Sequence, residues 1–516
     1  MPLDIATLRD DKAFDALTAA ILDRDQPKVT DLFYKMITEE GRSVGDAVSV
    51  VMAAEAPFIQ VPSHLNVRDG QLLLINNDHT ILGLRSAAEL QPYMEDKYRL
   101  LPLLQAVWYI PAGLDIWNQL LGKYPGRYAT MKGMNVPPPD YGPVVWNKDV
   151  APLREGSTLD ERLQAHMVAT MSGEVDRSYG MFLDLAADPD AREKLRDQLM
   201  FLGLIDIQDT IIGRKARNTG HKALRARAVT GLADFVSWER AHGVFYAGVP
   251  DMAVGPLYYS LYDAVCVLLT SAFPDVGKGL PQTNKIPLSE PETEAFVDLL
   301  MTGHQHAVFS QITAYLRNGR AIRSIGDAIQ IGAAELLLRN TVPRAYTDGI
   351  HPADYCGTAN HWLRGTNSPY QARVLYLMAN FVNDAAQANH WSTPVIEKEL
   401  GSYGFANRDP ATLLAELDEA IMAFDVPRST AIAHAYLASG ADRQAYRWTV
   451  SVTGCKFQDD PHHQKALHTS FQEYENNSTH LRDRLLLAPV RILAGWPKMP
   501  GERDCYARFM KDWIRH

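Results

Sequence analysis

The sequence predicts a mainly α-helical protein, a multi-helix bundle-like body carrying a small N-terminal β-meander. Apolar residues recur at three- and four-residue spacing through most of the chain. Helix-start signals such as Ser289 with Glu292, Asp188-Pro189 and Ser368-Pro369 recur along it. Only the stretch from His64 to Leu84 switches to short strand-like runs.

Taken in order, residues 1–60 read as two or three amphipathic helices, with Leu8, Phe14, Leu17 and Ile21 near one face of the first and a small, apolar segment from Val44 to Ala56. The meander follows. Leu65 and Val67 lead to an Asp69-Gly70 turn, then Leu72-Leu73-Leu74-Ile75, a second turn at Asn76-Asn77-Asp78, and Thr80-Ile81-Leu82. Asp-Gly between apolar runs is a hairpin signal because both residues tolerate the positive φ of a type I′ turn. Helical pattern resumes from Ser86 to about Leu121, with Trp108, Tyr109 and Trp117, interrupted by Pro111 and Gly113. Residues 134–157 are rich in Pro and Gly and mark a connection. The expected organisation is an N-terminal helical lobe over 1–133, this connection, and a large all-α domain over 158–516.

Within that last segment, residues Leu199 to Ile207 are apolar on most sides and belong in a core. A capping box at Ser289 opens a helix expected to run to about Arg317, ended by Asn318-Gly319. The next, Ile322 to Arg339, carries Gly326 and Gly332, which allow a neighbouring backbone to come close. Asp460-Pro461 starts a C-terminal helix rich in histidine. No fixed-period repeat is evident, which disfavours a solenoid.

Composition narrows the function classes. The chain has 516 residues, 46% hydrophobic and 22% charged, with a net charge of −10; that balance is of a globular protein and argues against sequence-independent nucleic-acid binding. The four cysteines are far apart and form no CxxC pair, so neither a disulfide scaffold nor a cysteine-rich metal site is expected. The first residues are acidic and lack the apolar region of a signal peptide, and no apolar run reaches membrane-spanning length; a cytoplasmic location is the expectation. Neither a Walker A sequence nor a GxGxxG after a strand is present, so no nucleotide cofactor is expected, and HExxH is absent.

What remains is an uneven set of sixteen histidines. His304 falls in line with Val297, Leu300, Met301, Val308 and Ile312 on one helical stripe, while His306 is turned about 200° away from it. His351 precedes Pro352 with Asp354 and Tyr355 within one turn, a pairing in which a carboxylate fixes an imidazole tautomer. His361 and His390 both precede tryptophan near helix ends. His463 aligns with Leu467 and Tyr474, His468 with Phe471 and Glu475, and His462 points to solvent. His79 sits beside Asp78. The cluster Arg214, Lys215, Arg217, His221, Lys222, Arg225 and Arg227 reads as a solvated helix face, with anion binding as its functional alternative.

These features lead to one expectation. His304, His306, His351, His463 and His468 supply ligands to a transition metal, iron first with zinc or copper as alternatives, and Asp327, Tyr355 and His79 act catalytically. The protein is then a metal-dependent oxidoreductase acting on a small organic substrate. A hydrolase or lyase using a His–carboxylate pair, with or without zinc, is the alternative, and a non-catalytic helical binding or scaffold protein the third. No nucleic-acid or membrane partner is expected. The sequence is silent on oligomeric state.

Overall fold

The computed structural model describes residues 8–68, 71–76, 79–120, 150–207, 220–253, 259–278, 283–341, 346–391, 403–405, 407–457, 462–496 and 504–514. The protein is mainly α-helical. The order is α1 (Phe14–Leu22), α2 (Gln26–Thr38), α3 (Val44–Ile59), β1 (Gln60–Arg68), β2 (Gln71–Asn76), α4 (His79–Leu90), α5 (Leu101–Leu120), α6 (Leu159–Met171), α7 (Val175–Ala186), α8 (Arg192–Ile205), α9 (His221–Val236), α10 (His242–Gly248) and α11 (Ser260–Ser271). It continues with α12 (Glu290–Thr302), α13 (Gln305–Arg317), α14 (Ile322–Leu338), α15 (Tyr346–Gly365), α16 (Gln371–Ala388), α17 (Pro410–Met422), α18 (Val426–Ala438), α19 (Arg443–Gly454), α20 (His462–Asn476) and α21 (Asp483–Gly495), with shorter turns of helix between.

The three-stranded meander is not formed. β1 and β2 pair antiparallel, Gln60 with Asn76 and Ser63 with Leu73, but Thr80-Ile81-Leu82 is the first turn of α4. Thr80, Ile81 and Leu82 are all buried, so the alternation that suggests a strand is replaced by burial on every side, which a core helix satisfies equally well. The Asp69-Gly70 turn lies outside the described residues, as do Arg214, Lys215, Arg217 and most of the 134–157 connection.

The helix expected from Ser289 to Arg317 is two helices. The capping box is present, with the Glu292 amide bonded to the Ser289 hydroxyl and the Glu292 carboxylate accepting from the Ser289 amide. At Gly303, however, the backbone is extended (φ −85°, ψ 162°). Asn383 of α16 donates to the freed carbonyls of Leu300 and Gly303, at 2.8 and 2.9 Å. This reorients everything after Gly303.

Two helical hairpins share one turn. In α1–α2, Asp23, Arg24 and Asp25 amides donate to Ala19, Ile21 and Ala20 carbonyls; in α17–α18, Ala423, Phe424 and Asp425 amides donate to Glu419, Ile421 and Ala420. Arg24 and Phe424 take positive φ (62° and 60°). Asp25 and Asp425 then cap α2 and α18 by accepting from Lys28 and Arg428 amides. The sequence signal is Ile-x-x-x-Asp-x-Pro at Ile21–Pro27 and Ile421–Pro427. It is too sparse to read as a repeat without the structure.

The site is positioned by α4, α9, α15 and α20. Each of α4 and α15 packs against both α9 and α20, closing a four-membered ring. Matching residues show that all four run in the same direction. His79, His221, His351 and His462 are in mutual ring contact at one end. Six residues further along, Arg85 meets His468, and ten or eleven residues along, Glu89 and Glu473 lie at the far end. Gly357, six residues after His351, lies so close to Thr469 that an added Cβ would be 2.5 Å from its methyl group. Gly326 of α14 likewise admits Asn360, whose Oδ1 would be 2.5 Å from a Cβ there. Parallel neighbours cannot be joined by short turns, which is why these helices come from four distant parts of the chain. Among the described residues no helix is long and apolar enough to cross a membrane.

Candidate functional site: a buried histidine quartet

Three of the four helices begin on the residue that forms the site. His79, His221 and His462 are the first residues of α4, α9 and α20, and His351 lies in the second turn of α15. Gly220, with φ 66°, precedes His221; its missing side chain lets the Tyr355 ring pack where a Cβ would be 2.9 Å away. The four imidazoles form a closed circuit. Ring centres are 5.3 Å apart for His79–His221, 5.0 Å for His221–His351, 5.7 Å for His351–His462 and 5.2 Å for His462–His79. His221, His351 and His462 are buried. Trp496 stacks on His462 at 4.8 Å.

His351 has a fixed tautomer. Its Nδ1–H donates to the Thr347 carbonyl at 2.7 Å, which leaves Nε2 with a lone pair. That Nε2 is 3.0 Å from the His221 Nε2. Burial, together with the charges of His221, Lys465 and His462, holds the His351 pKa well below the ordinary imidazole value. The ring is therefore neutral at pH 7, the form in which imidazole is a ligand or a base. Converging helix N-termini act in the same direction, because their partial positive charge opposes an imidazolium.

Ion pairs surround the quartet. Lys222 donates to Asp206 at 2.7 Å, Arg225 pairs with Asp251, and Lys465 lies 3.7 Å from Asp354. Asp354 follows His351 by three residues and Lys465 follows His462 by three, so the pair sits one turn below the rings. Asp354 and Lys465 are both almost fully buried. Among the described residues, neither Asp354 oxygen nor the Lys465 ammonium makes a hydrogen bond. Lys222, Arg225 and Arg227 belong to the expected solvated basic face and are instead buried.

A buried acid stands beside the α4 entry. Thr80, next to His79, donates to Glu55 Oε1 at 2.7 Å. Burial pushes the Glu55 carboxyl up to about 8, against the effect of that hydrogen bond. The unfolded carboxyl ionises from its ordinary value of 4.5, whereas the folded one stays protonated to about 8. Stability therefore falls as pH rises through this window, by up to about 1.4 kcal/mol per pH unit. The expected result is a wild-type urea midpoint that drops between pH 5 and pH 8, and a Glu55→Gln variant whose midpoint drops much less.

The structure brings His79 and His351 to one place and distributes the remaining sequence candidates elsewhere. His304 caps α13 and is exposed, as is His306; the break at Gly303 removes His304 from the apolar stripe that assumed one continuous helix. His304→Ala is accordingly expected to change Tm and metal content negligibly, within about 0.5 kcal/mol of stability, as for other surface changes. His463 turns from the quartet to a small cavity lined with Gly83, Gln105, Ala106, Tyr109, Phe457 and Gln464. His468 has both nitrogens engaged, Nδ1 with Arg85 at 2.8 Å and Nε2 with Glu89 at 2.5 Å. Tyr355 donates its hydroxyl to the Leu204 carbonyl at 2.8 Å. Asp327 accepts from the Ser478 amide and hydroxyl at 3.0 and 2.6 Å, so it holds the chain just past the C-terminal end of α20, about 20 Å along the helix from His462.

His221 and His462 complete the circuit and are absent from the sequence-derived set. The available signal was spacing: His79 and Arg85, His221 and Arg227, and His462 and His468 are each six residues apart at the start of a helix. Among the described residues no group of three or more His, Cys, Asp or Glu side chains has the geometry to hold a metal ion. Comparison with known protein families, with curated proteins and with solved structures returns no match.

Proposed function

We propose that the protein is a metal-dependent oxidoreductase whose transition metal, iron in the first instance, is held by His79, His221, His351 and His462, and which acts on a small organic substrate. The observation that carries this reading is the circuit of four imidazoles with ring centres 5.0 to 5.7 Å apart. A nitrogen about 2.1 Å from an ion puts the ring centre about 3.2 Å from it, so neighbouring rings around one ion lie about 4.5 to 5.2 Å apart in square or tetrahedral geometry. Binding one ion requires the four rings to rotate inward from these positions.

The donor chemistry fits the proposal as well. Neutral nitrogen ligands suit iron, copper and zinc, and a His351 Nδ1–H bonded to a backbone carbonyl is the arrangement that orients a ligating imidazole. The bound metal would supply open coordination positions and one-electron chemistry. The chain supplies the rest: the helix N-termini keep the imidazoles neutral and so in their ligating form, and Asp354 and Lys465 stand one turn away to exchange protons with the substrate. Reconstitution tests the reading. Metal-free protein given Fe(II) anaerobically should take up about one equivalent and form a coloured nitric oxide adduct; failure to bind iron, or iron binding that persists when the quartet is removed, contradicts it.

A further inference from the structure

Six residues below the quartet, about 9 Å along the helices, the same bundle holds a second cluster. Arg85 and Arg227 are 5% and 2% exposed. Arg85 donates through Nη2 to His468 Nδ1 at 2.8 Å, and Arg227 donates through Nη2 to Gln472. Among the described residues the other donors are unused: Arg85 Nη1, Arg227 Nε and Arg227 Nη1 are buried and meet no acceptor. The Glu89 carboxylate lies 3.9 Å from Arg85 and 3.6 Å from Arg227, beyond hydrogen-bonding distance of both. It is already engaged by His468 Nε2 at 2.5 Å.

The charges do not balance. Arg85, Arg227 and Arg364 are cationic, while Glu89 and Glu473 are the facing carboxylates; Glu473 is committed to Arg364 at 2.6 Å and to Asn360 at 3.1 Å. His468 is pushed down to about 4, foremost by burial, and His361 to about 3, foremost by the charge of Arg227. Both imidazoles are neutral at pH 7; Arg364 is met by Glu473 and by the charge of Asp327, which leaves Arg85 and Arg227 facing the single carboxylate of Glu89 with one positive charge in excess. An unpaired buried charge costs several kcal/mol, and an unused buried donor adds to that. Burial, then the like charge of Arg85, brings the Arg227 guanidinium down to about 9.

We propose that this cluster is a binding site for a small monoanion of the carboxylate class, seated between Arg85 and Arg227. One negative charge neutralises the excess, and carboxylate oxygens match guanidinium donors in geometry and strength. A dianion such as phosphate would overcompensate. The groups of the cluster that reach solvent are Glu89, 31% exposed, and the exposed His361, and an anion would enter past these two side chains. The site takes either a free carboxylate or the carboxylate of a larger molecule.

Titration of the full chain with acetate, with inorganic phosphate as comparison, tests the proposal by calorimetry and by Tm. Wild-type protein should bind acetate saturably, more tightly than phosphate, and Tm should rise with it. Arg227→Lys and Arg85→Lys keep the charge but lose the guanidinium donors, and each should weaken acetate at least tenfold. A succinate or benzoate titration separates the sources: tighter binding than acetate points to the carboxylate of a larger molecule, and equal binding to a free anion. Absence of saturable acetate binding by the wild type overturns the site, whatever the variants do. Undiminished binding in both folded lysine variants overturns it also. Metal content, measured on the same samples, is expected to be unchanged, so the outcome is independent of the histidine quartet.

Discussion

His351→Ala and His221→Ala should each empty the proposed metal site, taking the iron bound on reconstitution from about one equivalent to below a tenth of that. The expectation is large because these two rings make the closest approach in the circuit, Nε2 to Nε2 at 3.0 Å, and because the His351 tautomer is set by Thr347. Removing either ring leaves a three-imidazole set. It also leaves a cavity beside helix N-termini, where a cation gains nothing from the backbone. Activity should fall with metal content in both variants. His463→Ala supplies the control: the residue is equally buried and adjacent in sequence to His462, but it faces the neighbouring cavity, so its loss should cost stability while iron stays bound. Elemental analysis and thermal melting of the three variants separate the two effects.

The second large effect is at the opposite end of the bundle. Glu473→Ala should destabilise the protein by about 3–5 kcal/mol, the usual cost of removing one partner from a buried charge network. Glu473 is fully buried and accepts two hydrogen bonds from Arg364 and one from Asn360. Its loss removes the carboxylate that Arg364 and Arg227 share, leaving Glu89 facing Arg227 and Asp327 facing Arg364. Glu473→Gln keeps the shape and the Asn360 contact but loses the charge, and should recover only part of the stability. Urea denaturation at pH 7 reads both. A change below about 1 kcal/mol for Glu473→Ala contradicts the network.

The helical class and several helix ends were legible because they rest on local signals: the Ser289 capping box, the Asn318-Gly319 end of α13, and the buried run from Leu199 to Ile205 all appear in the structure. The meander failed where a short apolar run, Thr80-Ile81-Leu82, has no period to distinguish strand from buried helix. His304 failed for a related reason. Its face was extrapolated through Gly303, and one extended residue there discards the helical phase on which the inference depended.

The site was half legible. His79 and His351 were singled out because each adjoins a turn or helix start, and chemistry concentrates at such positions. His221 was hidden by its neighbours, since a run of Lys and Arg resembles a solvated face until Asp206 and Asp251 are seen to meet Lys222 and Arg225. His462 was hidden by the polar residues before it. Both belong to helices that start side by side only because four parallel helices are drawn together from distant parts of the chain. That arrangement is tertiary, and no local pattern encodes it.

The metal itself is the most direct measurement. Elemental analysis of wild-type protein purified without chelator, joined to X-ray absorption at the edge of whatever metal is found, reports both occupancy and ligands. The account predicts about one equivalent of iron or a chemically similar ion, with a first shell of nitrogen near 2.1 Å and multiple-scattering features of imidazole. A protein that remains metal-free after reconstitution with iron, copper and zinc would contradict it, as would a first shell dominated by sulfur, and the quartet would then stand as a set of packed core histidines.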